Sequence, residues 1–155
     1  MIPMKNDIVS IKTLYDKLHD VHRINNGGCG VAALAVHRAA ELLRLSHQIL
    51  CLYLDIDVDA FNLNLSVVSN GNYKDFMVPY HIAIYDTSWN RVVDSTGTVT
   101  TSGMYEYMHS IHEIELVKML NLSTDWNDTF NRKEQIPVIE SILKVDLSDI
   151  DKETK

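Results

Sequence analysis

Three residue types that together perform thiol catalysis occur in order along this chain: Cys29, His81 and Asp94. Cys29 lies in the string Gly27-Gly28-Cys29-Gly30, directly before an apolar stretch that is predicted to be helical. Unpaired backbone N–H groups and the positive end of the helix dipole favour a thiolate at a helix N-terminus. The flanking glycines let a substrate approach the sulfur closely. The sequence therefore predicts that Cys29 is a nucleophile.

His81 and Asp94 are predicted to lie on two neighbouring strands. His81 falls in a predicted strand over residues 78–85, and Asp94 ends a second predicted strand, Arg91–Asp94. A turn over residues 86–90 joins them into a hairpin, which would let Asp94 face His81, although a slip of one residue would turn Asp94 away. A paired imidazolium stabilises a thiolate, and a carboxylate on the other ring nitrogen fixes the tautomer. These three residues form a candidate catalytic triad.

Acyl transfer also requires donors for the oxyanion that forms on the attacked carbonyl. The backbone N–H of Cys29 is the first expected donor. Asn25, Asn26 and Tyr15 are candidates for the second, and the sequence does not choose among them.

Two segments of the chain resemble transglutaminase-like proteins, within the wider papain-like group of thiol enzymes. Residues 28–44, GCGVAALAVHRAAELLR, resemble the nucleophile helix of that family. The string His81-Ile82-Ala83-Ile84-Tyr85, followed by Trp89 and then Asp94-Ser95-Thr96, resembles its second block. The resemblance covers roughly residues 25–97. It implies a Cys–His–Asp triad that acts on an amide of a protein or peptide, by hydrolysis as a peptidase or amidase, or by transfer as a transglutaminase.

One departure from the family pattern leaves a second function open. Ala83 and Tyr85 occupy positions where the family usually has an aromatic and an acidic residue. A catalytically inactive member of the same fold, which binds a protein or a small ligand, is therefore the alternative to a thiol hydrolase or acyltransferase. Neither function calls for a cofactor.

Two histidine pairs raise a third alternative, a zinc-binding helical protein. His19 and His22 are spaced i, i+3, and His109 and His112 repeat that spacing. No CxxC motif accompanies them, so we expect no metal site.

Length and composition restrict the class of protein. The chain has 155 residues, of which 46% are hydrophobic and 23% charged, values typical of one globular domain over residues 1–155. The net charge of −7 argues against binding to nucleic acid. Two cysteines are too few for a disulfide framework, and neither a signal peptide nor a long apolar run is evident. We expect a cytoplasmic protein that does not enter membranes, and its oligomeric state stays open.

Hydrophobic periodicity and turn residues predict an α+β protein in which N-terminal helices precede an antiparallel sheet, with the nucleophile helix packed on that sheet. The predicted helices are residues 8–22, with Asp7 as N-cap, residues 30–45 and residues 104–122. The predicted strands, besides the two of the hairpin, are residues 49–54 and the alternating stretch 61–67. Residues 124–131 are predicted as loop, residues 135–147 are ambiguous because Pro137 interrupts any helix, and residues 146–155 are expected to be a frayed tail.

Overall fold

An antiparallel sheet forms the centre of the fold in the computed structural model, which describes residues 9–21, 29–72, 75–77, 79–99, 105–122 and 129–150. Within these ranges the sheet has five strands in the spatial order β4-β3-β2-β1-β5. They are β1 (His47–Tyr53), β2 (His81–Asp86), β3 (Arg91–Asp94), β4 (Gly97–Val99) and β5 (Tyr107–Ile111). Every neighbouring pair is antiparallel. The mixture of helices with this sheet confirms the α+β prediction.

The described helices are α1 (Ile11–Asp16), α2 (Cys29–Leu42), α3 (Val58–Asn70), α4 (Glu113–Leu122) and α5 (Thr129–Leu143), with a short 3-10 helix at Asp55–Asp57. Helix α2 contacts β1 and β2 of the sheet and also α1, α4 and α5. Its side chains from Gly30 to His37 are all buried, since alanine and other small residues allow close packing on several sides. The element that carries Cys29 is therefore the most enclosed helix of the fold.

Strand β1 is buried on both faces from Ile49 to Tyr53. Along β1, Ile49, Cys51 and Tyr53 belong to the main core with α2, whereas Leu50 and Leu52 belong to a smaller cluster on the other face. Burial on both faces explains why this strand is a continuous apolar run rather than an alternating one.

The first helix is shorter than predicted and begins at a different cap. Ser10 is its N-cap: the Ser10 Oγ accepts the Thr13 N–H at 3.3 Å, and the Ser10 N–H donates to the Thr13 Oγ1 at 2.8 Å. This reciprocal pair satisfies two backbone donors at the helix start. Asp7 lies outside the described residues. The helix ends at Asp16 instead of residue 22, and the chain continues in turns.

The predicted strand over residues 61–67 is wrong, because this stretch lies within helix α3. Ala60, Asn64 and Val67 are buried, which is helical spacing, whereas Leu63 and Leu65 are exposed. Asn64 accounts for the difference. Its side-chain amide donates to the Tyr53 hydroxyl at 2.7 Å and to the Met77 carbonyl at 2.8 Å, so a polar residue occupies a core position.

The predicted helix over residues 104–122 is wrong in its first half. Tyr107–Ile111 is strand β5, which pairs with β1, and only Glu113–Leu122 is helical. The Glu115 carboxylate accepts the His112 N–H at 2.7 Å, and this contact marks the helix start. The predicted helix over residues 30–45 also ends early, at Leu42, before Arg44 takes a left-handed backbone conformation with φ 58°.

The C-terminal segments are more ordered than predicted. Helix α5 runs through Pro137 because Ile136, Ile139 and Leu143 pack into the main core at helical spacing. It also begins at Thr129, inside the predicted loop 124–131. Leu147 and Ile150 are buried, so the first half of the predicted frayed tail packs against the body of the protein. Residues 151–155 lie outside the described part.

Candidate active site

Cys29 is the first residue of helix α2, as the sequence predicted. Its side chain is half-buried and packs against the main core, and it is a free thiol. Helix α2 has 14 residues, so the nucleophile position lies at the N-terminus of a full-length helix dipole. Asn25, Asn26 and the two glycines before Cys29 lie outside the described residues, so the structure does not place them.

The hairpin of β2 and β3 brings His81 and Asp94 to the same face of the sheet. Ile84 and Val93 lie directly opposite each other. His81 is three positions from Ile84 and Asp94 one position from Val93, both odd numbers, so the two side chains extend to the same side of the hairpin, and they meet at 2.6 Å. The turn is completed by Asn90, which has a positive φ of 49° and accepts a hydrogen bond from the Tyr85 hydroxyl at 2.5 Å.

Asp94 accepts three hydrogen bonds, and these fix its carboxylate. The His81 Nε2–H donates to Asp94 Oδ2 at 2.6 Å. The Thr96 N–H and the Thr96 hydroxyl donate to Asp94 Oδ1 at 2.8 Å and 2.6 Å. Burial raises the pKa of Asp94, but the hydrogen bonds from His81 and Thr96 outweigh it and the net direction is downward. Asp94 is therefore ionised, and its Oδ2 bonds His81 while its Oδ1 bonds Thr96.

Cys29 is the second group that acts on His81. Because Nε2 is bound to Asp94, Nδ1 is the ring nitrogen of His81 that is left for a partner such as the Cys29 thiol. Burial lowers the pKa of His81, but the hydrogen bonds with Asp94 and Cys29 and their negative charges outweigh it and raise that pKa to about 9. The side chain of His81 is 20% exposed and that of Asp94 is 9% exposed. Asp94 thus bonds His81 directly, and Cys29 is close enough to raise the pKa of the same ring.

Two tyrosines that the sequence did not single out lie near His81. The Tyr105 ring is nearly parallel to the His81 ring, with centroids 6.2 Å apart and an interplanar angle of 12°. Tyr80, which is half exposed, contacts Tyr105 with centroids 5.8 Å apart. Tyr105 precedes a strand by two residues and no motif marks it, so only the fold shows that it covers His81. Thr96 had a signal, because Asp followed two positions later by Thr is a common turn motif.

The Tyr15 hydroxyl lies in the same part of the molecule. Burial raises the pKa of Tyr15 well above its ordinary value, and the negative charges of Asp94 and Cys29 raise it further. Within the described ranges the hydroxyl has no hydrogen-bond partner. Tyr15 was one of three candidates for the second oxyanion donor, and it is the one that the structure places.

A second histidine–carboxylate cluster lies further along α2. His37 Nε2 bonds Glu113 Oε1 at 2.8 Å, and His37 Nδ1 bonds His47 Nε2 at 2.7 Å. The other His47 nitrogen bonds the Leu45 carbonyl at 2.6 Å. Three hydrogen bonds that end on a carbonyl and a carboxylate need three hydrogens on two rings, so the complete series requires one imidazolium. Even so, burial and the neighbouring His47 lower the pKa of His37, despite the opposing effect of Glu113.

Arg38 ties this second cluster to the C-terminal segment. Its guanidinium donates to Glu113 Oε2 at 2.9 Å, to both carboxylate oxygens of Asp149 at 2.6 and 2.8 Å, and to the Asp146 carbonyl at 2.7 Å. Nothing in the sequence pattern indicated this connection, since the partners are more than 70 positions away along the chain.

The histidine pairs considered for zinc do not form a site within the described ranges. His109 is on strand β5 and His112 follows it, so the two do not share a helix face. His22 lies outside those ranges. Among the residues that the structure describes, no group of three or more His, Cys, Asp or Glu side chains is arranged to hold a metal ion.

Comparison with protein-family models, with curated proteins and with solved structures finds no match to this chain. The candidate site therefore stands on its own residues. None of the helices in the described part of the chain is long and apolar enough to cross a membrane.

Proposed function

We propose that this chain is a cysteine-dependent acyl-transfer enzyme with a papain-like or transglutaminase-like core, and that it hydrolyses an amide of a protein or peptide. The observation that carries the proposal is the 2.6 Å hydrogen bond between His81 and Asp94, together with the effect of Cys29 on the pKa of His81. The order of a buried nucleophile helix followed by an antiparallel sheet supports the same proposal. Two free cysteines fit a reducing compartment such as the cytoplasm.

The resting site would hold a Cys29 thiolate next to a His81 imidazolium. The sulfur attacks the amide carbonyl, a C–S bond forms, and the carbonyl electron pair moves to oxygen. His81 then gives its proton to the leaving amine as the C–N bond breaks, which leaves a thioester on Cys29. With its pKa raised to about 9, His81 carries this proton at neutral pH.

The second half of the reaction returns the enzyme to its resting state. Neutral His81 accepts a proton from water, the hydroxide adds to the thioester, and the acid leaves as the C–S bond breaks. Asp94 holds the ring so that the same nitrogen faces Cys29 in both halves. A primary amine in place of water would give a transglutaminase reaction. We propose hydrolysis because water is always available.

The test is the pH dependence of alkylation by iodoacetamide, resolved by mass spectrometry into Cys29 and Cys51. We expect Cys29 to react rapidly at about pH 6, where an ordinary thiol with a pKa of about 8.5 is mostly protonated. Cys51 is the internal control, because it is fully buried and burial raises the pKa of its thiol. His81→Ala should lower the Cys29 rate at about pH 6 by roughly tenfold or more.

Two outcomes would contradict the proposal. Cys29 that reacts like a free thiol, with or without His81, would show that no ion pair exists. Cys29 that is inert in a folded and reduced sample would favour the alternative, a binding module without catalysis.

A further inference from the structure

The hydroxyl group of Tyr15 is buried and has no hydrogen-bond partner among the described residues. The residue is 1% exposed, and its oxygen makes no hydrogen bond with any residue that the structure describes. Buried polar groups in proteins are nearly always hydrogen-bonded, and each exception requires an explanation. Phenylalanine would fill the same space without an unsatisfied group.

Another tyrosine shows that this fold can satisfy a buried hydroxyl. Tyr53 is also fully buried, and its oxygen accepts a hydrogen bond from the Asn64 amide at 2.7 Å and bonds His109 Nε2 at 2.8 Å. The other buried side-chain atoms of the described residues that make no hydrogen bond, Asp86 Oδ2 and Arg91 Nε, lie 3.7 Å apart as an ion pair, so the Tyr15 hydroxyl differs from them in having no charged neighbour of that kind. Tyr53 serves below as a matched control.

The position of Tyr15 is next to the candidate site. Helix α1, which carries it, contacts α2, which begins with Cys29, and also contacts β3, which ends at Asp94, and β4, which begins one residue after Thr96. Burial raises the pKa of Tyr15, and the charges of Asp94 and Cys29 raise it further. The phenol therefore keeps its proton and stays a hydrogen-bond donor.

We propose that the Tyr15 hydroxyl donates a hydrogen bond to the oxyanion that forms when Cys29 attacks a carbonyl, as the second donor beside the Cys29 backbone N–H. This inference rests on the proposed function. As the C–S bond forms, the carbonyl electron pair moves to oxygen, and that oxygen accepts the Tyr15 O–H. When the carbonyl re-forms and the leaving group departs, the hydrogen bond is released and Tyr15 keeps its proton throughout.

The missing partner in the resting protein has a catalytic consequence. A donor that is unpaired before the reaction gains its hydrogen bond only when the oxyanion appears, so it stabilises the transition state more than the free enzyme. Loss of one oxyanion donor typically slows the chemical step by roughly 10²–10³-fold.

Two reagents separate an oxyanion donor from a residue that positions the thiol. Acylation of Cys29 by p-nitrophenyl acetate passes through an oxyanion and releases p-nitrophenolate. Alkylation by iodoacetamide displaces iodide from a saturated carbon and forms no oxyanion. We expect Tyr15→Phe to slow acylation by roughly 10²-fold, while the alkylation rate and its pH profile stay as in the wild type.

Tyr53→Phe is the matched control, and we expect the opposite result from it in both stability and acylation rate. Tyr15→Phe removes an unsatisfied hydroxyl, so the urea midpoint of unfolding should be unchanged or higher. Tyr53→Phe removes a hydroxyl that Asn64 and His109 depend on, so its midpoint should fall while its acylation rate stays near that of the wild type.

Three results would overturn the inference. Acylation of Tyr15→Phe within about threefold of the wild type, with a large loss in Asn25→Ala or Asn26→Ala, would assign the donor to the loop before Cys29. An equal loss with both reagents would mean that Tyr15 positions the thiol. A wild type that is alkylated rapidly at about pH 6 but is not acylated would refute the oxyanion site and leave the ion pair standing. In contrast, ordinary alkylation of Cys29 contradicts the proposed function itself.

Discussion

Two histidines on this protein bond a carboxylate at nearly the same distance, and yet their pKa values shift in opposite directions. His81 bonds Asp94 at 2.6 Å and His37 bonds Glu113 at 2.8 Å. The pKa of His81 is raised to about 9, whereas the pKa of His37 is lowered. Burial lowers both. A hydrogen bond to a carboxylate is therefore not enough to raise the pKa of a buried imidazole.

The difference comes from the other neighbours of each ring. Cys29 and Asp94 both act on His81, and their effects raise its pKa. His37 has Glu113 on one ring nitrogen and the imidazole of His47 on the other, and besides burial the effect of His47 lowers its pKa. The Asp94 side chain is 9% exposed and bonds His81 and Thr96, while that of Glu113 is 41% exposed and is shared with Arg38. The sum of surrounding charges decides the protonation of each ring.

Asp94→Asn should have the largest effect on the difference between the His81–Asp94 and His37–Glu113 pairs. The substitution removes the negative charge of the Asp94 carboxylate. The new amide N–H can donate to His81 Nε2, and this favours the His81 tautomer whose proton is on Nδ1. We expect acylation by p-nitrophenyl acetate to fall by roughly 10³–10⁴-fold, with alkylation at about pH 6 also reduced. Glu113→Gln is the matched control and should leave both rates near those of the wild type. Similar losses in the two variants would mean that the two pairs are equivalent.

Cys29→Ala should bring the two histidines closer in pKa. Without the sulfur, the pKa of His81 should fall from about 9 but stay above that of His37, because Asp94 remains. NMR titration of the ring protons measures both groups in one sample. An unchanged His81 titration would show that Cys29 contributes nothing to the pair.

The raised pKa of His81 makes the stability of the protein depend on pH, and Cys29→Ala should reduce that dependence. A histidine whose pKa is raised in the folded state contributes stability that is fully present below its unfolded pKa of about 6.5. In the wild type this contribution should be lost as pH rises through about 9, and its size is on the order of 3 kcal/mol. Urea unfolding at several pH values measures it. Cys29→Ala should reduce this pH-dependent part, and an equal pH dependence in both proteins would contradict the assignment.

Arg38→Ala acts on the second cluster alone. The side chain of Arg38 is 17% exposed and joins Glu113 to Asp149, so its loss leaves two carboxylates without their cation. We expect the free energy of unfolding to fall by about 1–3 kcal/mol, as measured in urea, while Cys29 keeps its alkylation rate. A loss of reactivity at Cys29 would indicate that the two clusters communicate through α2.

Glu113→Gln should have the smallest effect, a further decrease in the pKa of His37. The carboxylate is among the groups that oppose the effect of burial on His37, so its removal lowers that pKa again. NMR titration of His37, with His81 as the unchanged reference, measures the shift. An increase in the pKa of His37 would refute the role given to Glu113.

The elements around the triad could be predicted from sequence because each has a local signal. Glycines precede the α2 helix, and the polar turn over residues 86–90 separates two strands that contain β-branched residues. The register of those strands could not be predicted, because it depends on the pairing of Ile84 with Val93 and on the left-handed Asn90. Local signals predict elements, and tertiary contacts determine which side chains meet.

The errors arise where a tertiary contact overrides the local pattern. The alternation of apolar residues over 61–67 indicates a strand, but Asn64 finds partners only in the folded core, at Tyr53 and Met77. Pro137 normally disfavours a helix interior, yet burial of its apolar neighbours keeps α5 continuous. The unpaired hydroxyl of Tyr15 and the ring of Tyr105 over His81 have no sequence signal at all.

The contacts of α2 have a consequence for synthesis of the protein. This helix packs against α1, which precedes it, and against α5, and Arg38 bonds Asp149 near the end of the described chain. On the ribosome, helix α2 therefore lacks β1, β2, α4 and α5, four of the five elements that it packs against in the described part of the chain, until those residues have emerged. On the proposed function, a newly made chain should acquire a reactive Cys29 only late in translation.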